Sequence, residues 1–311
     1  MRRAPMPLVV LAGIVLAALP FLGGSQYLAT IGLLTAASAL VGQGWNLAGG
    51  FGGLTSFGSV MFFGIGAYTA AIIQTRWGIN PWFGLPAGAA LGGLAGAVVG
   101  FAAFRAGLRG SYFALVTLAF AEVFHVLSNS LALTGAGLGI TLRLAPGLGN
   151  FQFLDRRASY AVMLALLVLA TALAHWLRAS RFGARLVALR ENEDAAQALG
   201  IDIVRTKTLA FALSGAVIAT AGVVYTQTYL YIDPSIAFSV ERSVEMLLVA
   251  MIGGPGTVWG PILGAIGLHL VADTAQAWIA LPGFAAMLYG VVLLAVIRLL
   301  PDGIAGMFRR A

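Results

Sequence analysis

From Ala4 to Thr75 the chain contains no Asp, Glu, Lys or Arg. A transmembrane helix takes about 20 mostly apolar residues, so this single stretch has room for three crossings. Its internal breaks, Gly23-Gly24-Ser25-Gln26 and Gly49-Gly50-Phe51-Gly52-Gly53, are suited to turns. The remaining sequence follows the same pattern. Only 9% of the 311 residues are charged and 60% are hydrophobic, where a soluble domain carries about 25% charged residues. Too little charge is present to cover a soluble globule. The fold class is therefore an all-α polytopic membrane protein, and soluble enzymes, nucleic-acid-binding domains and disordered chains are excluded.

The first apolar run, residues 8–22 behind Arg2 and Arg3, has the look of a secretory signal. More apolar sequence follows at once and no clear small-x-small cleavage site precedes it, so it reads as a retained first helix. Further runs lie at 82–104, 112–133, 159–177, 208–231, 246–272 and 276–297. The run from Met246 is interrupted by Gly253-Gly254-Pro255-Gly256, which a straight helix would not carry. Split there, the chain has about ten crossings; eight is the alternative if the glycine-rich segments are re-entrant. Gly88, Gly92, Gly96 and Gly100 recur every four residues and share one helix face. That face suits either a helix moving against a pore or close packing in a crowded bundle.

Of the 18 basic residues all but Lys207 are arginine, and they flank apolar runs as topology-setting charges do. With both termini cytoplasmic, the inside collects Arg2, Arg3, Arg105, Arg109, the six basic residues from Arg178 to Lys207, Arg298, Arg309 and Arg310. The outside keeps Arg76, Arg143, Arg156, Arg157 and Arg242, which satisfies the positive-inside rule. The one sizeable cytoplasmic loop then spans 178–207, and the longest outer loop about 134–157.

Catalytic equipment is sparse. There is no cysteine, and His125, His175 and His269 have no metal-ligand spacing, so no metal or other cofactor is expected. A phosphate-binding loop needs a lysine after a glycine-rich turn, and the only lysine follows Ile203-Val204-Arg205-Thr206. Any ATP must be hydrolysed on a partner. Glu122, Glu245 and Asp273 fall in or beside apolar runs, where ionisable groups mark pathways or relays by default. Glu122 and His125 share a helix face, as a relay, a substrate-ammonium contact or a local structural pair. Glu245 and Asp273 sit at run edges and read as interfacial.

Residues 178–207 hold ten of the 29 charges. Two short helices fit them. Arg178, Arg181 and Arg185 fall on one face, Asn192 suits an N-cap with Glu193 and Asp194 in the first turn, and Gly200 suits the C′ position. A solvated connector is the simpler reading, but caps at both ends are more structure than a connector needs.

The stretch Asn192-Glu193-Asp194-Ala195-Ala196-Gln197-Ala198-Leu199-Gly200-Ile201 resembles the loop by which permease subunits of ABC importers dock to their ATPases, without that motif's later proline. Leu54-Thr55-Ser56-Phe57-Gly58 and Phe62-Phe63-Gly64-Ile65-Gly66-Ala67-Tyr68 are similar to a segment of branched-chain amino acid permeases. Residues 108–122, 134–140, 253–261 and 301–306 resemble, in family order, signatures of the LivM-type permease subunit of branched-chain amino acid ABC transporters.

The resemblance implies a type II ABC importer-like permease fold, one transmembrane domain over residues 1–311 with its docking loop at about 178–207. It implies a bacterial inner-membrane complex with a second homologous permease, two cytoplasmic ABC ATPases and a periplasmic solute-binding protein. The substrate would be a small branched-chain or other hydrophobic amino acid; a urea or amide permease and a proton-coupled secondary transporter are the alternatives. Glu191, Asn192, Glu193, Asp194, Ala195, Ala196 and Gly200 would form the ATPase-docking site. Ser56, Phe57, Gly58, Phe62, Phe63, Gly66, Tyr112, Thr117 and Glu122 would line the pathway between the two permeases, within the lipid bilayer. No nucleic-acid partner is implied.

Overall fold

The computed structural model describes residues 26–278, together with 287, 290, 291, 298 and 303–310. The first apolar run and most of the last lie outside the described residues. The described helices are α1 (Gln26–Gly52), α2 (Val60–Arg76), α3 (Gly84–Arg105), α4 (Gly110–Ser130), α5 (Arg156–Ala179), α6 (Arg181–Glu191), α7 (Glu193–Ala198), α8 (Ile203–Tyr229), α9 (Pro234–Ala237), α10 (Val240–Gly253), α11 (Gly260–Trp278) and α12 (Gly303–Arg310). Five of them, α1, α3 with its preceding 3-10 turn, α4, α5 and α8, are long and apolar enough to cross a membrane. The chain is a multi-pass membrane protein built almost wholly of helices.

Helix α8 is the centre of the bundle, and glycine lets its neighbours approach it backbone to backbone. On α3, a Cβ at Gly96 would stand 2.7 Å from the Phe211 carbonyl oxygen, and one at Gly92 2.6 Å from that of Gly215. On the other side, a Cβ at Gly66 of α2 would collide with the Ala219 carbonyl, and one at Gly222 with that of Phe63. Between apolar helices in lipid there is no hydrophobic driving force, so close dispersion contact at small residues does the holding. The four-residue glycine repeat of α3 is thus a packing face against α8.

Residues 23–25 of the first glycine break lie outside the described residues, and the second break behaves differently from the sequence expectation. Gly49, Gly50 and Gly52 remain helical, and the turn comes at Gly53, which adopts φ +68°. The helix persists because Gly50 is itself a contact point: a side chain there would strike Asn46 and the backbone of Gly256. Asn46 donates from Nδ2 to the Thr257 carbonyl (2.8 Å) and accepts from the Gly256 amide (2.8 Å), fastening the 253–256 turn to α1. That turn separates α10 from α11, as its composition required, and Gly303 at the start of α12 abuts it at positive φ.

At the opposite end, β1 (Ile140–Thr141) pairs antiparallel with β2 (Tyr231–Ile232), Ile140 opposite Ile232. The glycines of this loop are conformational necessities: Gly135, Gly137 and Gly139 all have positive φ. Trp82 closes the same end by stacking on Phe151 at 4.2 Å and donating to the Leu148 carbonyl at 2.7 Å.

Candidate functional site

The charged element is built by three side-chain caps in series. Ser180 accepts from the Gly183 amide and starts α6; Asn192 accepts from the Ala195 amide and starts α7; Asp202 accepts from the Arg205 amide and starts α8. Gly200 takes φ +83° and ends α7, with its own amide bonded to the Gln197 carbonyl. The break at Ser180 puts Arg178 on α5 but Arg181 and Arg185 on α6, so the three arginines do not share one helix.

Tertiary contacts then fix α7 in place. Glu193 lies between Arg109, 3.0 Å away from the α3–α4 turn, and Lys207 of α8, whose ammonium it also contacts. Lys207 is not the loop charge its sequence position suggests. Its side chain is 4% exposed and its ammonium sits 5.7 Å from the Phe104 ring centroid. A buried ammonium is tolerable only when paired, and Glu193 is that pair. Beneath α7 the same residues line an open cavity of about 370 Å³ with Phe104, Leu108 and Gln197. Arg190, at the end of α6, donates to the Gly50 carbonyl at 3.0 Å and pairs with Glu191 at 2.8 Å. The solvent side of the element offers Asp194, whose side chain is 83% exposed, and Leu199, 81% exposed, with Glu191 beside them. Ala195 is exposed and Ala196 buried, facing the bundle. The sequence offers all three acids to a partner; all three are ion-paired within the chain, but Glu193 is the one held in place with its side chain only 20% exposed, while Asp194 and Glu191 stay exposed.

The residues expected along a pathway fall into two groups. Ser56, Phe57, Gly58 and Thr117 come together: Trp45 Nε1 donates to the Ser56 carbonyl at 2.9 Å, the Phe57 amide donates to Thr117 Oγ1 at 3.3 Å, and Gly58 admits the Thr117 backbone. Phe62 and Phe63 are buried against α8, edge-on to Phe211 and Tyr225, and Gly66 lies in the α2–α8 crossing. Tyr112 and Glu122 instead lie on the exposed side of α4, with Leu115, Val123 and Val126. Glu122 does meet His125, at 3.3 Å. Helix α4 keeps only Phe113, Ala114, Thr117, Ala121 and Ser128 buried, so one apolar face of it, with a carboxylate in its midst, is bare in the single chain.

A second polar centre was not read from the sequence. Glu245 is not interfacial: Ser38 of α1 donates to its Oε1, and His269 of α11 stands 2.9 Å from Ser38 Oγ. Ser38 is mid-helix, about 18 Å from the start of α1 and about 21 Å from its end by helical rise. Three residues earlier, Arg242 is not an outer-loop charge either. It lies over the rings of Phe63 (4.4 Å) and Tyr225 (4.8 Å). The sequence clue was an Arg and a Glu one turn apart in the apolar surroundings of α10, but Ser38, which bonds Glu245, is 207 residues away, and Phe63 under Arg242 lies on a different helix.

Comparison with known proteins adds the family. Residues 27–297 match the family described as branched-chain amino acid transport system / permease component. The high-affinity branched-chain amino acid transport system permease protein LivM of Escherichia coli (strain K12) is 31% identical over 261 residues, covering 76% of this chain and 60% of its own length. LivH, of the same name and organism, is 27% identical over 291 residues, 86% of this chain and 91% of its own. The autoinducer 2 import system permease protein LsrC of Klebsiella pneumoniae is 34% identical over 140 residues, 43% of this chain and 40% of its own. The chain spans about 60% of the length of the LivM relatives it matches. No solved structure matches it.

Proposed function

Because this chain belongs to the branched-chain amino acid transport permease family, we propose that it is the transmembrane permease subunit of an ATP-driven importer for branched-chain or other hydrophobic amino acids. It forms half of the pathway beside a second, homologous permease in the bacterial inner membrane, with both termini cytoplasmic. Ten helices in a type II ABC importer-like arrangement make up its single domain. Two ATPases bind on the cytoplasmic side and a periplasmic binding protein delivers substrate to the other. ATP hydrolysis belongs to the ATPases, since this chain has no phosphate-binding loop.

The observation that carries the reading is the construction of α6–α7. Its outer surface exposes an acid and a leucine to a partner, Asp194, which also meets Arg109 at 3.4 Å, and Leu199. Its inner surface is tied to α3, α4 and α8 through Glu193. A partner that binds the two permease states differently shifts their populations, and an element gripped from outside and tied inside transmits that shift. The bare face of α4 fits the seam with the second permease, because a carboxylate such as Glu122 is costly against lipid.

The test is leucine uptake by proteoliposomes holding the five-part complex, with ATP supplied to the ATPases and the proton gradient collapsed. Uptake should persist and stop when ATP is withheld. Uptake that follows an imposed proton gradient and ignores ATP would overturn the reading in favour of a relay through Glu122 and His125.

A further inference from the structure

Helix α10 begins among the apolar helices rather than at their ends, since Phe238 just before it packs on Tyr68 in the middle of α2. From β2 the chain descends through α9 to Phe238, whose ring stacks on Tyr68 of α2 and on Phe124 of α4. Irregular backbone at that depth is tolerated where it is buried in protein or lines a cavity. The start of α10 meets the start of α2, where the Val60 amide donates to Ser243 Oγ at 3.3 Å. Two broken helices thus face each other, and α10 carries two charges one turn apart, Arg242 and Glu245.

Neither charge is paired with the other, and among the described residues the one ion pair between them and a neighbour is long, His269 Nε2 to Glu245 Oε1 at 3.9 Å. The Arg242 guanidinium lies over the rings of Phe63 and Tyr225. Its Nε is buried with no acceptor, and no carboxylate pairs with it among the described residues. Glu245 Oε1 takes the Ser38 hydroxyl proton. A hydroxyl has one proton to give, so His269 Nε2 must be the donor to Ser38 Oγ, and the chain runs His269 to Ser38 to Glu245. The contacts with Ser38 and His269 both fall on Glu245 Oε1. What is left is a guanidinium with an unpartnered Nε and a carboxylate three residues further along the same helix, with Cβ atoms about 5–6 Å apart.

We propose that Arg242 and Glu245 bind the zwitterionic head of the transported amino acid, Arg242 taking its carboxylate and Glu245 its ammonium. The planar fork of a guanidinium matches a carboxylate in two parallel hydrogen bonds. An ionised carboxylate, already oriented by Ser38 and His269, is the acceptor an ammonium requires. Opposite charges a turn apart on one helix can flank the adjacent charges of an α-amino acid, and a group lacking either charge would leave a buried ion unpaired. This assignment rests on the importer reading above.

The experiment uses the full complex in proteoliposomes and measures leucine uptake together with ATP hydrolysis. Arg242→Met and Glu245→Gln should each cut uptake about tenfold or more. Leucine-loaded binding protein should still stimulate hydrolysis, so ATP spent per leucine rises by a similar factor; Arg242→Lys should restore part of the uptake. Should Arg242→Met not assemble, Glu245→Gln decides alone, since it keeps size and hydrogen bonding. Uptake within twofold of the parent for these variants would overturn the proposal, as would uptake and hydrolysis falling together at an unchanged ratio. A parent complex that imports no leucine with ATP overturns the importer reading, and this pair with it.

Discussion

The α3–α8 crossing and the α6–α7 element are both firmly held, by opposite means. At the crossing, glycines 92, 96 and 215 let carbonyls and Cα atoms touch, with no charge involved. At the element, Glu193 is held between Arg109 and Lys207 over an open cavity, and Arg190 reaches a single carbonyl of α1. The crossing cannot shift without repacking two backbones. The element is attached at a few points and can be moved as a unit, with the load passing into α8. One region is a fixed axle and the other is a handle on it.

Substitutions break that contrast in order of size. Gly92→Val should cost about 4 kcal/mol, at the high end for overpacking, because the new side chain meets backbone that cannot turn aside. Thermal unfolding in detergent would show a large drop; an unchanged midpoint would contradict the crossing as drawn. Glu193→Gln should cost about 3 kcal/mol, the low end for breaking a buried pair because Glu193 is part-exposed and Gln keeps an acceptor, by leaving the Lys207 ammonium buried without its counter-charge. Adding Lys207→Met should recover most of that, since an apolar replacement removes the stranded charge; a double variant as unstable as the single would sink the pairing. Asn192→Ala should cost about 1 kcal/mol, the ordinary loss of an N-cap. Faster hydrogen exchange should be confined to α7, leaving α8 protected, and uniform loosening would argue against a separately attached element.

Local chemistry was the readable part of this chain. Caps and breaks depend on neighbours in sequence, so Asn192, Gly200 and the 253–256 turn behave as their residue types require. What the sequence hid depends on distant partners. Lys207 reads as a loop charge until Glu193 and Phe104 are placed around it. Arg242 reads as an outer flank until Phe63 and Tyr225 close on it. Gly50 reads as a turn until Gly256 arrives beside it. The α3 repeat left packing and motion both open, and only the position of α8 decides for packing.

The handle is tested most directly by the affinity of the purified ATPase pair for this permease, carrying Asp194→Lys together with Leu199→Ser. Both side chains are exposed, so fold stability should change by less than about 0.5 kcal/mol. ATPase affinity should fall tenfold or more, about 1.4 kcal/mol. Unchanged affinity in a folded double variant would contradict docking through α7.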